Sequence, residues 1–207
     1  MTNAPIISKQ LTLVGHGTCG KTSILNRHMN KRFDEIMDPT VFSSTTNEYK
    51  HEQGSIELRL WDTAGQDEFS RFRHLALPTA DYILICFSVE SRASYTEIKN
   101  SFIPLIKECC PTAKYFIAAT KIDLREDRNV LERLVEAGDS PISRNEGLEL
   151  AKTVGAVGYF ECSAKQDKGI EEIFYQISKF ALKENVKEEK SWFSKLFEIF
   201  DCCGKNS

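Results

Sequence analysis

Gly15-x4-Gly20-Lys21-Thr22 brings together the residue types that hold a phosphate chain. Glycines let the backbone curl close to phosphate oxygens, so successive N–H groups can point inward as a nest. The full stretch is Gly15-His16-Gly17-Thr18-Cys19-Gly20-Lys21-Thr22-Ser23. It stands between an apolar run, Leu11 to Val14, and the start of an amphipathic one. A helix opening there presents its N-terminal N–H groups and positive dipole end to the same anion. Lys21 can reach the β- and γ-phosphates, and the Thr22 hydroxyl can ligate Mg²⁺. A glycine-rich turn that merely joins strand to helix is the plainer alternative. The position of the pattern at the change from strand to helix favours the phosphate loop.

Three further stretches extend the chemistry. Trp61-Asp62-Thr-Ala-Gly65-Gln66 closes an apolar-alternating run. A carboxylate such as Asp62, at a strand's carboxyl end near such a loop, can hold Mg²⁺, commonly through water. Gly65 offers an N–H without a Cβ in the way, suited to a γ-phosphate. Gln66 has both a donor and an acceptor, as orienting an attacking water requires. Thr120-Lys121-Ile122-Asp123 discriminates between bases. Guanine shows two adjacent donors, N1–H and the N2 amino group, and one carboxylate, Asp123, can accept both. Adenine would leave that carboxylate unpaired, at a large penalty. Lys121 can lay its aliphatic stem over the base. In Cys162-Ser163-Ala164-Lys165 the backbone N–H groups could contact guanine O6.

These stretches need a scaffold. Leu11–Val14 reads as a buried strand, followed by a helix with Ile24, Leu25 and Met29 on one face. Residues 33–41 hold Pro39 and no clean period, so they read as a loop. Thr46–Glu52 and Ile56–Trp61 flank Gln53-Gly54-Ser55, a hairpin signal. Ala80–Val89 and Tyr115–Thr120 are buried strands. Ser94–Cys109 is a helix that should kink or break at Pro104. Arg128–Ala137 is a short charged helix inserted after Asp123. A solvated surface insert is its preferred reading, with partner binding the minor one. A further helix should begin near Ser143, boxed by Glu146. Tyr159–Cys162 is the last strand, and a helix from about Gly169 to Leu182 closes the domain.

Composition is that of an ordinary globular protein, with 41% hydrophobic and 28% charged residues over 207 positions. That length suits one α/β domain plus a tail. A net charge of −3 speaks against a nucleic-acid binder. No run reaches transmembrane length, and the N-terminus lacks the layout of a secretory signal. Seven scattered cysteines show no zinc spacing, which fits reduced thiols in the cytoplasm.

With the phosphate loop, Pro39-Thr40-Val-Phe, Asp62-Thr-Ala-Gly-Gln66, Thr120-Lys-Ile-Asp123 and Cys162-Ser-Ala164 in one order, the chain resembles a Ras-superfamily small GTPase. The likeness covers about residues 9–183. Trp61-Asp-Thr-Ala-Gly-Gln, Thr120-Lys-Ile-Asp-Leu-Arg125 and the helical insert at about 126–138 look most like the Rho/Rac family. The resemblance implies an α/β fold, the G domain of P-loop NTPases. Its mostly parallel, six-stranded central sheet would carry helices on both faces. It implies GTP or GDP as ligand, Mg²⁺ as cofactor, and slow GTP hydrolysis with Gln66 and Lys21 as the catalytic residues. Mg²⁺ would be held by Thr22, Thr40 and Asp62. Gly17 would lie beside the γ-phosphate, Thr40 would bind Mg²⁺ and γ-phosphate, and Phe33 would stack on the guanine edge. Leu124 would stand with Lys121 and Asp123 at the base. Residues 34–45 and 63–77 would be two switches, ordered by GTP and released after hydrolysis. Effectors, an exchange factor and a GTPase-activating protein would bind through them, in regulation of the actin cytoskeleton or of membrane traffic.

Three features depart from that family. His16 stands where Asp is usual, and Met37 where switch I usually has Tyr. The C-terminus, Cys202-Cys203-Gly204-Lys-Asn-Ser207, lacks a Cys-a-a-X box. Residues 183–207 carry five lysines and five acidic residues, so no basic patch is present to attract anionic lipid. Instead Trp192, Phe193, Leu196, Phe197 and Phe200 recur at helical spacing, the pattern of an interfacial helix. Membrane contact through 191–203, with S-acylation of Cys202 or Cys203, stands beside docking onto the domain or onto a partner helix. Residues 1–8 read as a flexible lead, and 184–207 as a charged linker, Glu184–Lys190, followed by this tail. The expected place is the cytoplasm, at the periphery of a membrane. A GTP-loaded docking module with little hydrolysis and a P-loop kinase are the rival functions; the Asp123 motif has no role in the second.

Overall fold

The computed structural model describes residues 7–33, 43–62 and 79–203, with side chains as far as Val186. In chain order the elements begin with β1 (Ile7–Val14), α1 (Lys21–Asn30), β2 (Ser43–His51), β3 (Gly54–Asp62) and β4 (Tyr82–Ser88). There follow α2 (Arg92–Glu97), a π turn (Ile98–Phe102), α3 (Ile103–Cys109) and β5 (Lys114–Thr120). A 3₁₀ turn (Ile122–Arg125), α4 (Arg128–Glu136), α5 (Arg144–Val154), β6 (Tyr159–Glu161) and α6 (Ile170–Cys203) complete the elements of the described residues.

The strands form one six-stranded sheet in the order β2-β3-β1-β4-β5-β6. β2 runs antiparallel to β3, and the other pairs are parallel. Alternation along the strands divides the core between two faces. Tyr82, Leu84 and Cys86 of β4, with Phe116 and Ala118 of β5, meet Ile24 and Leu25 of α1 and Ile170, Ile173, Phe174 and Ile177 of α6. Ile83, Ile85, Phe87, Ile117 and Ala119 face the opposite way, onto Ile98, Phe102, Ile103, Ile106, Leu150 and Val154. Strands buried on both sides therefore read as continuous apolar runs. Each such side chain contributes about 1.5–3 kcal/mol when removed from water. The expected sheet with helices on both faces is what forms.

Local signals account for most boundaries. The Ser143 hydroxyl accepts from the Glu146 N–H at 3.2 Å, while Glu146 Oε2 accepts from the Ser143 N–H at 2.8 Å, the expected capping box. Asp127 caps α4 by accepting from the Val130 N–H. As expected, Pro104 interrupts the helical run: it opens α3 directly after the π turn. Lacking an N–H, it deprives the turn behind it of a bond, and the helix widens so that the Ile103 N–H donates to Ile98 O.

Two boundaries differ from expectation. β1 begins at Ile7, inside the stretch read as a lead, because Ile7 and Ser8 pair in register with Ile56 and Glu57. α6 runs unbroken through Glu184–Lys190, the stretch read as a mobile linker, to Cys203. Lys and Glu are good helix formers, so a charged stretch following a docked helix propagates the helix at little cost.

Candidate nucleotide site

The site forms at the carboxyl ends of β1, β3, β4, β5 and β6, where the sheet's loops converge. β1 turns at Gly15, with φ of +142°. A Cβ there would lie 2.1 Å from the backbone oxygen of Cys86 in β4, so only glycine lets the loop pass. Thr18 and Gly20 also have positive φ, and for the β-branched Thr18 that is a strained conformation. Gly20 is the N-cap of α1 and has no side chain with which to close the helix end. Lys21 is buried, and its ammonium donates to Gly15 O at 2.5 Å and His16 O at 3.2 Å. The lysine thus lies back over its own loop, at the loop's mouth. His16 Nδ1 lies 2.7 Å from Gly17 O, and its Nε2 reaches Glu97 of α2 at 4.0 Å.

Asp62 ends β3, paired in register with Leu13 of β1, and is almost completely buried. Leu13 precedes Gly15 by two residues, so this register sets Asp62 beside the start of the loop that leads to Lys21. Burial pushes Cys86 and Cys162 well above the ordinary thiol range. These cysteines stay protonated near neutral pH and supply no nucleophile.

The stretch Thr120–Asp123 is tied to the glycine-rich loop by one hydroxyl. Thr120 Oγ1 lies 2.5 Å from Cys19 O and 3.0 Å from Phe87 O, donating between them. Lys121 then adopts the left-handed region, φ +54°, and starts the 3₁₀ turn that carries Asp123 and Leu124. The Ile122 N–H donates to Cys162 O at 3.2 Å, joining this turn to the Ser163-Ala164-Lys165 loop. Ser163 is fully buried, and its hydroxyl accepts from the Gln166 N–H. Arg27 of α1 closes the ring by donating to Ala164 O at 2.8 Å. Phe33, half-buried, packs at the edge of the α1–α6 core.

The structure therefore brings together Gly15 to Ser23, Asp62, Thr120 to Leu124 and Ser163 to Lys165. Thr40, Gly65 and Gln66 lie outside the described residues, as do 34–42 and all of 63–77; residues 43–45 begin β2. Sequence reasoning missed Arg27 and Glu90. Glu90 follows β4, and one of its oxygens accepts from Lys121 Nζ at 3.0 Å while the other accepts from Arg133 of α4 at 2.5 Å. Burial pushes the Glu90 carboxyl up, but these two cations outweigh it and hold it below the usual range. A cavity of about 310 Å³ lies here, between His16–Cys19 and the Glu90, Lys121 and Arg133 side chains. No local pattern marks Arg27 or Glu90; each acts on a residue far along the chain.

Comparison with known proteins agrees with this arrangement. A family model described as the Ras family matches residues 10–183. The GTP-binding protein RHO1 of Candida albicans is 36% identical over 191 residues, spanning 92% of this chain and 96% of that protein. The glycine-rich loop joined by Thr120 to the turn that bears Asp123, on a sheet of this order, is thus found in a chain that belongs to the Ras family, as a Rho-type small GTPase that binds guanine nucleotide and hydrolyses GTP.

Proposed function

We propose that the nucleotide lies with its phosphates on Gly15–Ser23 and its base between the Lys121 stem and the Asp123 carboxylate. The observation that carries this is the Thr120 hydroxyl on Cys19 O, which fixes the spacing between the two halves of the site. The Lys21 ammonium, now on its own loop's carbonyls, is positioned to turn onto the β- and γ-phosphates. Asp123 accepts guanine N1–H and N2–H, and the N–H groups of Ala164 and Lys165 face O6, that of Ser163 being given to Lys168 O.

The donor chemistry fits Mg²⁺. The Asp62 carboxylate and the Thr22 hydroxyl, on the first turn of α1, are hard oxygen ligands suited to that ion. Thr40 would join them in the GTP state. The ion, when bound, neutralises charge on the phosphate oxygens. Gln66 orients the attacking water, and Gly17 leaves room beside the γ-phosphate for it. Intrinsic hydrolysis is slow. An arginine supplied by an activating protein accelerates it by about 10³–10⁵, the range known for Ras-type proteins.

The protein then works as a switch. Residues 34–45 and 63–77 present one surface with GTP and another with GDP, and effectors, an exchange factor and an activating protein read them. Signalling to the actin cytoskeleton or to membrane traffic is the output. No helix among the described residues is long and apolar enough to cross a membrane. The apolar positions of 191–203, at the end of α6, instead rest on the cytoplasmic surface of one.

Single-turnover hydrolysis tests this reading. Gln66→Leu protein loaded with GTP should lose intrinsic hydrolysis while keeping the nucleotide. Wild-type speed in that variant would remove Gln66 from the mechanism. A wild type that keeps GTP intact even with an activating protein would establish the docking module instead.

A further inference from the structure

We propose that Arg133, on the inserted helix α4, is a positioning residue for the nucleotide: acting through Glu90, it holds Lys121 over the base and slows nucleotide release. This rests on the reading of Lys121 and Asp123 as the base site. The Glu90 carboxylate divides its two oxygens. Oε1 accepts from Lys121 Nζ at 3.0 Å, and Oε2 accepts from Arg133 Nη2 at 2.5 Å. The Glu90 side chain is 19% exposed and that of Arg133 59%. A carboxylate so placed has little water to orient it, and the guanidinium fixes which oxygen faces the lysine.

The consequence reaches the base because Lys121 has little freedom of its own. Its backbone is held in the left-handed region at the head of the turn that bears Asp123. Its side chain must run along the base and end where Glu90 receives it. With Arg133 gone, the carboxylate regains its rotamers and the lysine loses a fixed end point. α4 is otherwise lightly attached: Leu134 is its one buried residue, and Asp127 caps it. The ion pair is thus a direct electrostatic link from the insert to the nucleotide.

The test is the release rate of a fluorescent GDP analogue from full-length protein with Mg²⁺ present. Arg133→Ala should release it about 3-fold faster at low ionic strength, the size expected of one half-exposed pair. At about 1 M salt the two rates should converge, because the pair is screened. Arg133→Lys, which keeps the charge, should restore most of the wild-type rate. Arg128→Ala removes a pair confined to the same helix, Arg128 with Glu132, and should leave release unchanged. A wild-type rate in Arg133→Ala, or an equal acceleration in Arg128→Ala, would overturn the proposal. Lys121→Ala is the separate control. If it too leaves release unaltered, the reading of the base site fails first.

Discussion

Gly15 shows how little room the phosphate loop has. Its absent side chain is what lets β1 pass within contact of the Cys86 carbonyl. Gly15→Ala adds an atom 2.1 Å from that oxygen at a φ of +142°, so the loop must move. We expect a loss of about 3 kcal/mol in stability, read as a lower denaturant midpoint, together with failure to retain nucleotide on purification. Asp123 makes the complementary case for selectivity. Asp123→Asn exchanges one acceptor oxygen for a donor, which no longer suits guanine's two donors but suits xanthine, with its N1–H and C2 carbonyl. Competition binding should show xanthosine diphosphate displacing GDP from the variant and not from wild type. Unchanged preference for GDP would remove Asp123 from the base site.

His28 is where three elements meet. It sits on α1, stacks on Phe174 of α6 with ring centroids 4.0 Å apart, and bonds to two residues of β2. Nε2 lies 3.0 Å from the Asn47 amide nitrogen, which can only donate, and 2.7 Å from the Tyr49 hydroxyl. Nε2 is therefore the acceptor, and Nδ1–H donates to Glu171 at 3.2 Å. Burial lowers the His28 pKa; Glu171 opposes the shift without cancelling it. Protonation would set a second N–H against the Asn47 NH2 group. Below the ordinary value of about 6.5 the unfolded chain takes up a proton that the folded chain refuses. The contribution of His28 is thus complete above that pH and is lost as pH falls toward the lowered folded value. His51, lowered by burial as well, acts with the same sign. Denaturant midpoints measured from pH 7.5 to 5.5 should fall, and His28→Phe should show a shallower slope. An equal slope in the variant would clear His28 of the effect. α1 opens at the phosphate loop and β2 follows residues 34–42, so this junction braces both sides of the site.

At the scale of the molecule, α6 joins a segment of the core to the segment proposed to meet a membrane. Its first part supplies Ile170, Ile173, Phe174 and Ile177 to the core, and its last part ends at Cys203 with aromatic residues at helical spacing. A chain ending at Val186 keeps every core residue of α6 among those described, from Ile170 to Leu182. Such a chain should bind GDP as the full protein does, yet no longer sediment with phosphatidylcholine vesicles. Uncharged lipid is the right probe, because the tail's lysines and acidic residues balance. Retained sedimentation would place membrane contact elsewhere on the protein.

The order of the motifs, the buried strands and the capping box were all legible from residue types, for a shared reason. A phosphate nest, a base-reading turn and a helix cap are each made by neighbours in sequence, so their chemistry is written locally. The charged stretch 184–190 misled because composition reports solvation, and a helix in water can be as charged as a linker. What the sequence could not contain is the wiring between motifs. Thr120 is 101 residues from Cys19, Arg27 is 137 from Ala164, and Glu90 lies between Lys121 and Arg133, 31 and 43 residues on. Those contacts exist only because a parallel sheet lays the ends of distant strands side by side. Nothing in the spacing of such residues distinguishes them from solvated ones until the strands have found their order.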